Sequence, residues 1–594
     1  MHPQPKNFDA VIHNEAFEEI YEGKSVTHLS MIADAGRDKE LLSGQWHFTV
    51  DQYDMGLRSR WHLEATTDSS GRPLPLDYDF EHWEAVTVPS CWNLARPEYF
   101  YYESSGIYTR TFKYEAKQAN ERVFLKIGAA AYHAKVFLNK EFLGSHDGAS
   151  TPFYIEITDT LKDDNRIMLN VENRRQPDRV PMHNTDWFNY GGLYRDVEII
   201  RVPATFVKKF YCQLKKESQF GKIDLRVQVE GNELNGIGTL EIEELDLKES
   251  IEIKNGSANL SIKVSPTLWS PESPKLYAVK FNYGEDQIEE LIGFREFSVK
   301  GTDITLNGEQ ILLKGIACHE ESVLNGKAVT EEEIIQNFTL AKEMNCNYLR
   351  LAHYPHTEKA AQIADRMGLM LWEEIPVYWS IAFENQFTYL DAENQLLEMM
   401  QRDCNRASVV IWSIGNENAD TDARYDFMKK LVDAARGADD SRAISAACLS
   451  DKVDLFINDR LAEHLDVIGI NQYYGWYDPD FSKLEKLFRN STPDKPVIIT
   501  EFGGGARAGH RGSPDEFFTE DNQKALYQKQ VETMGQIKYI KGISPWILYD
   551  FRCPRRTNPF QNHYNRKGLL NEDKTAYKAA FYVMQDFYKN WGKI

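Results

Sequence analysis

The stretch VVIWSIGNE at residues 409–417 decides the fold, because it is a short apolar run that ends in Asn416 and Glu417. A second run of the same kind, VIITEF at residues 497–502, carries Glu501 close to its end. Continuous apolar runs of this length are typical of parallel strands that are covered on both faces by helices. The two runs therefore predict a parallel α/β domain in the C-terminal half of the chain.

Six further runs of similar character accompany these two. They are ILLKGIACH (311–319), NYLRLAH (347–353), LMLWEEI (369–375), ISAACL (444–449), DVIGINQYY (466–474) and GISPWILYDF (542–551). Amphipathic stretches separate several of them, such as residues 330–345, where Thr330 and Glu333 have the spacing of a capping box. Eight strands with intervening helices predict a (β/α)8 barrel over residues 298–594.

The chain before residue 298 has a different pattern. Short alternating runs such as RVFLKIGA (122–129) and RIMLNVEN (166–173) are separated by Gly, Asp and Asn, which predicts short strands joined by turns. We therefore expect a β-sandwich over residues 1–205, a smaller one over residues 206–297 and the barrel as a third domain.

Composition excludes several classes of function. The 594 residues include 69 basic and 90 acidic side chains, a net charge of −21, which argues against nucleic acid or an anionic membrane as the main partner. No run approaches the roughly 18 apolar residues that span a bilayer. Residues 1–17 lack the apolar core of a signal peptide, so we expect a cytoplasmic protein, or a periplasmic one from which a signal was removed.

Glu417 and Glu501 are the residues whose positions point to chemistry. In a barrel of this kind, active sites form at the carboxyl ends of the strands. Two partly desolvated carboxylates that face each other have divergent pKa values, so one can act as a general acid and the other as a nucleophile or base. This is the arrangement that glycoside hydrolysis uses. The alternative is that each glutamate only ends a strand or pairs with an arginine.

The residues around these glutamates resemble glycoside hydrolase family 2. The similar segments are RDCNRASVVIWSIGNE (402–417), KPVIITEFG (495–503), NYLRLAHYPHTEKAAQIADRMGLMLWEE (347–374), PSCWN (89–93), GIYTRTF (106–112), TDWFNYGGLYRDV (185–197) and GFREFSV (293–299). The resemblance implies a jelly-roll sandwich, an immunoglobulin-like sandwich and a catalytic TIM barrel. It also implies hydrolysis with retention of configuration, for which the carboxyl groups lie about 5–5.5 Å apart.

By the same resemblance, Glu417 is the acid/base and Glu501 the nucleophile. Asn416 is expected to bind the sugar 2-hydroxyl, and Tyr473 is expected to orient the nucleophile unless it only fills the barrel rim. Such a reaction needs no metal and no other cofactor.

The loop at residues 551–567 bears on the sugar. It contains five basic residues and no Asp or Glu, which predicts an anionic sugar unless these charges form an internal ion-pair network. Asn565 and Lys567 resemble the Asn-x-Lys pattern with which β-glucuronidases bind the uronate carboxylate. The arginine-rich part, 550–562, departs from the usual β-glucuronidase sequence. Arg552 or Arg555 there could accommodate a differently oriented 4-hydroxyl, or a second acidic group on an oligosaccharide.

Four more residues match pocket positions of such enzymes. By the resemblance, Asp186 reaches from the first sandwich to hold a sugar hydroxyl and Tyr477 lines the pocket. His319 and Trp546 match further pocket positions.

We therefore expect a retaining exo-β-glycosidase that hydrolyses terminal β-D-glucuronides. Its partner would be a β-linked uronic-acid glycoside or oligosaccharide, and we expect a homo-oligomer. The alternatives are a β-galacturonidase or mixed uronidase, then a neutral β-galactosidase. A catalytically inactive carbohydrate-binding protein is a further alternative, and it would show no turnover of an aryl β-glycoside.

Overall fold

The computed structural model describes Tyr21 and residues 24–65, 67, 71–73 and 80–592. Residues 1–17, from which the cellular location was predicted, lie outside the described residues. The described chain forms two antiparallel β-sandwiches followed by a closed barrel of eight parallel strands, which confirms the predicted fold class. Within the described residues, no helix combines the length and the apolar character needed to cross a membrane.

The first sandwich packs a six-stranded sheet against a four-stranded sheet. In spatial order, the larger sheet contains Glu84–Val88, Gly44–Asp51, Ser105–Lys113, Asp164–Glu172, His133–Leu138 and Glu141–Asp147. The smaller sheet contains Lys39–Leu41, Val197–Val202, Arg122–Ile127 and Phe153–Glu156. Side chains such as Phe48 from one sheet and Leu125 from the other meet in a shared core. The loop that carries Asp186 leads into the short strand Gly192–Leu193, which pairs with Ala130–Ala131.

The second sandwich is smaller and leads into the barrel. Its sheets contain Phe206–Leu214, Lys222–Glu230 and Ser257–Lys263, and Leu247–Ile253, Gly236–Ile242, Tyr277–Tyr283 and Asp286–Ile292. In the connection that follows, the buried Arg295 donates hydrogen bonds to the carbonyl oxygens of Ala407 (3.1 Å), Ser441 (3.3 Å) and Val409 (2.6 Å). These bonds attach the connection to the amino-terminal end of the fourth barrel strand.

The barrel closes because its eighth strand pairs with its first. In chain order the strands are Leu313–Cys318, Tyr348–Leu351, Met370–Glu374, Val409–Asn416, Ala443–Cys448, Ile468–Asn471, Val497–Glu501 and Ile540–Ile543. A small antiparallel sheet, Phe297–Lys300, Asp303–Leu306 and Glu309–Gln310, packs against the apolar residues at the base of the barrel. The base is therefore filled, and the opposite end is left for a site.

Helices surround the barrel. The longer ones are Glu331–Glu343, Glu358–Met367, Gln386–Asp403, Asp422–Ala438, Ser482–Asn490, Glu520–Met534 and Ala579–Asn590. Shorter helices and 3-10 turns are Met55–Arg58, His28–Ser30, Trp61–Leu63, Phe80–His82, Trp92–Leu94, Pro97–Tyr99, Glu243–Leu245 and Arg460–Glu463. The 3-10 turn Arg460–Glu463 takes the place of a helix between the fifth and sixth barrel strands. The predicted capping box is confirmed, since Thr330 and Glu333 exchange side-chain-to-backbone hydrogen bonds.

The eighth strand ends earlier than predicted. It was expected over residues 542–551, but Pro545 has no N–H group with which to continue the ladder. Residues 544–546 still run alongside the seventh strand, because Ser544 N donates to Ile499 O (2.8 Å) and Trp546 N donates to Phe502 O (3.0 Å). Trp546 therefore reaches the mouth of the barrel from a loop. Residues Phe551–Arg552 then form a hairpin with Tyr564–Asn565.

Candidate active site

A cavity of about 490 Å³ opens at the carboxyl ends of the barrel strands. Both Glu417 and Glu501 line it, together with Tyr473, Tyr477 and Trp546. A larger cavity of about 780 Å³ lies between the first sandwich and the barrel, but it contains neither of these two glutamates. The smaller cavity is therefore the candidate active site.

Glu501 is the last residue of the seventh strand and is 5% exposed. Both of its carboxylate oxygens accept a hydrogen bond, one from Arg350 Nη1 (2.8 Å) and the other from the Tyr473 hydroxyl (2.7 Å). A carboxylate held by a guanidinium and a phenol is fixed in orientation. Glu501 thus has the environment of a nucleophile rather than of an acid.

Glu417 follows the fourth strand and has a different environment. Its Oε2 accepts a hydrogen bond from Trp379 Nε1 (2.8 Å), and it forms no ion pair within the described residues. Burial raises the pKa of Glu417, and the negative charge of Glu501 raises it further. The two glutamates therefore differ in the way that an acid and a nucleophile must differ.

The backbone around Glu417 is strained. Both Glu417 (φ 54°) and its partner Trp379 (φ 55°) have left-handed backbone conformations, which cost a residue with a side chain of order 1–3 kcal/mol. Hydrogen bonds compensate, from Glu417 N to Ala447 O (2.8 Å) and from Trp379 N to Asn416 O (2.9 Å). These bonds hold the end of the fourth strand between its neighbours and turn the Glu417 side chain into the cavity.

Arg350 links the groups around the nucleophile. Its guanidinium is 0% exposed and donates to Glu501, to both oxygens of Glu374 (3.0 Å each), to Asn416 Oδ1 (2.8 Å) and to the carbonyl oxygen of Thr500 (3.1 Å). Although burial opposes the effect, the Arg350 charge lowers the pKa of Glu374 to about 2. One cation therefore balances two buried carboxylates from the third and seventh strands.

Asn416 and His319 lie directly behind the cavity wall. Asn416 Oδ1 accepts from Arg350 and from Asn471 Nδ2 (3.1 Å), while its own Nδ2 has no hydrogen-bond partner among the described residues. His319 Nδ1 lies 3.1 Å from the Tyr354 hydroxyl, and His319 Nε2 is likewise without a partner in the part of the chain that the structure describes. Both side chains thus keep one polar nitrogen available for hydrogen bonding.

Asp186 brings the first sandwich to the cavity. Its carboxylate accepts hydrogen bonds from Arg556 Nη2 (2.6 Å), Arg556 Nε (3.1 Å) and Asn565 Nδ2 (3.0 Å). Asp186 and Arg556 both line the cavity. The neighbouring Trp187 packs edge-on against Tyr378, at 4.9 Å between ring centroids.

Lys567 lies at the cavity wall and is 4% exposed. Its ammonium group donates a hydrogen bond to the Tyr477 hydroxyl (2.7 Å) and lies 5.3 Å from the Tyr473 ring centroid. It forms no ion pair with any carboxylate that the structure describes. Asn565 is close in space as well as in sequence, since its Oδ1 accepts from Lys567 N (3.2 Å).

Arg552 does not lie at the cavity, which corrects the expectation for this residue. Its guanidinium donates to the Tyr190 hydroxyl (2.8 Å) and to the carbonyl oxygen of Val323 (2.7 Å). Neighbouring residues of an extended strand point to opposite sides, so the hairpin that turns Cys553 towards Asp186 turns Arg552 away. Arg556 reaches the cavity instead.

Sequence reasoning did not single out Arg350, Trp379 or Arg556 as site residues. A signal existed for Arg350, because it is a charged residue inside the apolar run 347–353. None existed for Trp379, which lies in an irregular loop after the third strand.

Comparison with known proteins agrees with this fold. The family models "Glycosyl hydrolases family 2, sugar binding domain", "Glycosyl hydrolases family 2" and "Glycosyl hydrolases family 2, TIM barrel domain" match residues 39–203, 205–295 and 297–591. The barrel, with its paired carboxylates, is that of a glycoside hydrolase. The chain belongs to glycoside hydrolase family 2.

Individual relatives match along nearly the whole chain. A β-glucuronidase from Paenibacillus borealis is 28% identical over 609 residues, which covers 94% of this chain and 97% of the relative. The solved structure of a β-glucuronidase from Ruminococcus gnavus, with a C6-substituted uronic isofagomine, has a TM-score of 0.82 at 25% identity and covers 95% of this chain and 100% of its own. The structure of a β-galacturonidase from Eisenbergiella tayi bound to galacturonate has a TM-score of 0.80 at 24% identity. It covers 94% of this chain and 98% of its own, and it shows the shared fold.

The Arg350 network yields a prediction about stability. Arg350→Met should lower the free energy of unfolding by about 3–5 kcal/mol, because it leaves buried carboxylates without their cation. Urea denaturation at pH 7 measures the loss. The matched control is Arg436→Met, which breaks a 2.9 Å pair with Asp466 at the surface and should cost less than about 1 kcal/mol.

The same loss should depend on pH. A carboxyl group whose pKa is depressed on folding stabilises the protein above its unfolded pKa, near 4.3, and this stabilisation disappears as the pH falls towards the folded value. For Glu374 the folded value is about 2, so the difference between wild type and Arg350→Met should shrink between roughly pH 5 and pH 2. Equal losses for the Arg350 and Arg436 variants would contradict the role given to Arg350.

Proposed function

We propose that this protein is a retaining exo-β-glycosidase that hydrolyses terminal β-D-glucuronides. The observation that carries the substrate class is Lys567, a buried cation at the cavity wall that has no ion-pair partner among the described residues. A buried charge is costly unless it is paired, and a sugar carboxylate would supply the missing partner. The β-glucuronidase relatives support the same class.

The proposed reaction has two displacements at the anomeric carbon. Glu501 attacks this carbon while Glu417 gives its proton to the leaving oxygen, so that a bond from carbon to Glu501 replaces the glycosidic bond. Glu417, now ionised, then takes a proton from water, and the water oxygen displaces Glu501. The two inversions restore the starting configuration.

The remaining predicted residues are proposed to bind the sugar. The free Nδ2 of Asn416 can donate to the 2-hydroxyl, and Tyr473 holds Glu501 in place. Asn565 and Lys567 would hold the carboxylate, with Tyr477 positioning the Lys567 ammonium. Asp186, His319 and Trp546 would contact the other hydroxyls and the ring face.

We also propose that the chain divides into three domains, with boundaries at residues 205/206 and 297/298.

The catalytic roles predict different effects of the two carboxylate substitutions. Glu501→Gln should abolish formation of the glycosyl-enzyme. Glu417→Gln should slow cleavage most for poor leaving groups, because these need protonation by the acid. Pre-steady-state kinetics with aryl glucuronides of graded leaving-group pKa measure both effects. If Glu417→Gln cleaved poor and activated glycosides at undiminished rates, the acid would have to be another residue.

The hydrogen bond from Trp379 predicts a shift in pH dependence. The indole N–H stabilises the ionised form of Glu417 and lowers its pKa, against the larger raising effect of burial. Trp379→Phe should therefore raise that pKa, and the alkaline limb of kcat/KM should move to higher pH by about 0.5–1 pH unit. Trp476→Phe is the matched control, because Trp476 packs on Phe517 away from the cavity. An alkaline limb that did not move in Trp379→Phe would argue against this bond or against Glu417 as the acid.

Selectivity for uronides tests the substrate class. Lys567→Ala should lower kcat/KM for an aryl β-glucuronide about 10- to 150-fold more than for an aryl β-galactoside, since a buried charge-assisted hydrogen bond contributes about 1.5–3 kcal/mol. Lys578→Ala is the control. Lys578 is as deeply buried but pairs with Asp550 at 2.6 Å, so its loss should affect stability and both substrates alike.

An unchanged uronide-to-galactoside ratio in Lys567→Ala would instead favour a neutral β-galactosidase. The β-galacturonide of the same phenol, measured alongside, separates the two uronides.

A further inference from the structure

The leaving-group side of the cavity is defined by the proposed acid. The glycosidic oxygen must come within hydrogen-bond reach of Glu417, so the leaving group has to lie beside this residue. Trp379 holds Glu417 through its indole N–H and is itself only partly buried. Leu449, Ser450 and Lys452, which follow the fifth strand, also line the cavity.

Arg555 lies above this part of the site. Its guanidinium carbon is 5.2 Å from the centroid of the Trp379 ring, and its side chain is 47% exposed. The guanidinium donates to Asn184 Oδ1 (3.2 Å), and its contact with Asp186 is long, at 3.8 Å. Arg555 is thus held over the indole but retains N–H groups that face solvent.

The acidic groups near Arg555 and Lys452 are already engaged elsewhere. Asp186 is bound through both oxygens by Arg556 and also accepts from Asn565. Asp478 pairs with Lys483 at 2.7 Å. Lys452 is exposed and forms no ion pair in the described part of the chain. In a chain of net charge −21, Lys452 at the cavity and Arg555 beside it are therefore cations whose nearest carboxylates, Asp478 and Asp186, bind other cations more closely.

We propose that Trp379, Arg555 and Lys452 form a subsite for a leaving group that carries an anionic substituent, either a carboxylate or a sulfate. The Trp379 ring packs on Tyr378, at 4.4 Å between ring centroids, and lies under Arg555, so the leaving group would contact the edge of the indole. Its anionic substituent would contact Arg555 or Lys452. Planar guanidinium groups suit both anions, because they bind two oxygens at once. The inference rests on the proposed glucuronidase function and specifies its substrates as acidic glycosides.

The test compares two nearly isosteric leaving groups, one charged and one neutral. The substrates are the β-glucuronides of 3-hydroxybenzoate and 3-hydroxybenzamide, and the measured quantity is the ratio of their kcat/KM values. Arg555→Gln should lower the acid-to-amide ratio about 3- to 10-fold, and Lys452→Gln should lower it less, because an ammonium group binds as a point charge and lacks the paired donors of a guanidinium. The wild-type ratio should also fall as NaCl rises, since the contact is partly exposed to solvent.

A second set of substrates distinguishes an aromatic acid from an acidic sugar as the leaving group. It uses disaccharides in which β-glucuronate is joined to glucuronate or to glucuronamide. Selectivity that depends on Arg555 with either set of substrates supports the subsite and identifies the leaving group that it fits. Arg489→Gln, a surface variant on helix Ser482–Asn490, should leave both ratios unchanged.

The two levels of the hypothesis fail in different ways. The proposed function requires that the wild type hydrolyse at least one of the two aryl glucuronides, and it is wrong if the wild type does not. If it does, and neither Arg555→Gln nor Lys452→Gln changes the ratio with either set of substrates, the function stands and the anionic subsite is overturned.

Discussion

The ion pairs of Arg350 are the constraint on which the site depends. This guanidinium is fully buried and lies between Glu374 and Glu501, so the three residues are fixed relative to one another. Removing water from three charges is costly, and the cost is offset only when the geometry is good and the remaining N–H groups are satisfied. Asn416 and the Thr500 carbonyl satisfy them, which also fixes the residue before Glu417. A single side chain thereby holds Glu501 directly and also holds the residue before Glu417.

A second set of contacts joins the first sandwich to the barrel. Asp186 comes from the sandwich, while Arg556 and Asn565 come from the loop after the eighth strand. The wall that faces the sugar is therefore shared between domains. The cations of the loop are therefore not equivalent: Arg556 pairs with Asp186, whereas Lys567 donates to the Tyr477 hydroxyl and has no ion-pair partner among the described residues.

The sequence was sufficient to predict features that depend on local pattern. The eight apolar runs correspond to the eight strands, and Glu417 and Glu501 lie at the carboxyl ends of the fourth and seventh strands, as the ends of these runs indicate. Features that depend on distant partners were not accessible. Arg350 bonds to Glu501, 151 residues away, and nothing in its own segment indicates this. Arg552 and Arg556 could not be told apart, because their directions follow from the pairing of Phe551–Arg552 with Tyr564–Asn565.

The shared wall also has a consequence for biosynthesis. Asp186 and Arg556 are separated by 370 residues, and a ribosome adds roughly 5–20 residues per second, so the sandwich loop waits on the order of 20–70 s for its partner. A nascent chain that ends after Glu501 already carries both carboxylates but lacks Arg556, Asn565 and Lys567. Under the proposed function, incomplete translation products would have both catalytic carboxylates without the residues proposed to bind the uronate. Under the proposed function, recognition of the sugar is completed only after residues 556–567 have been translated.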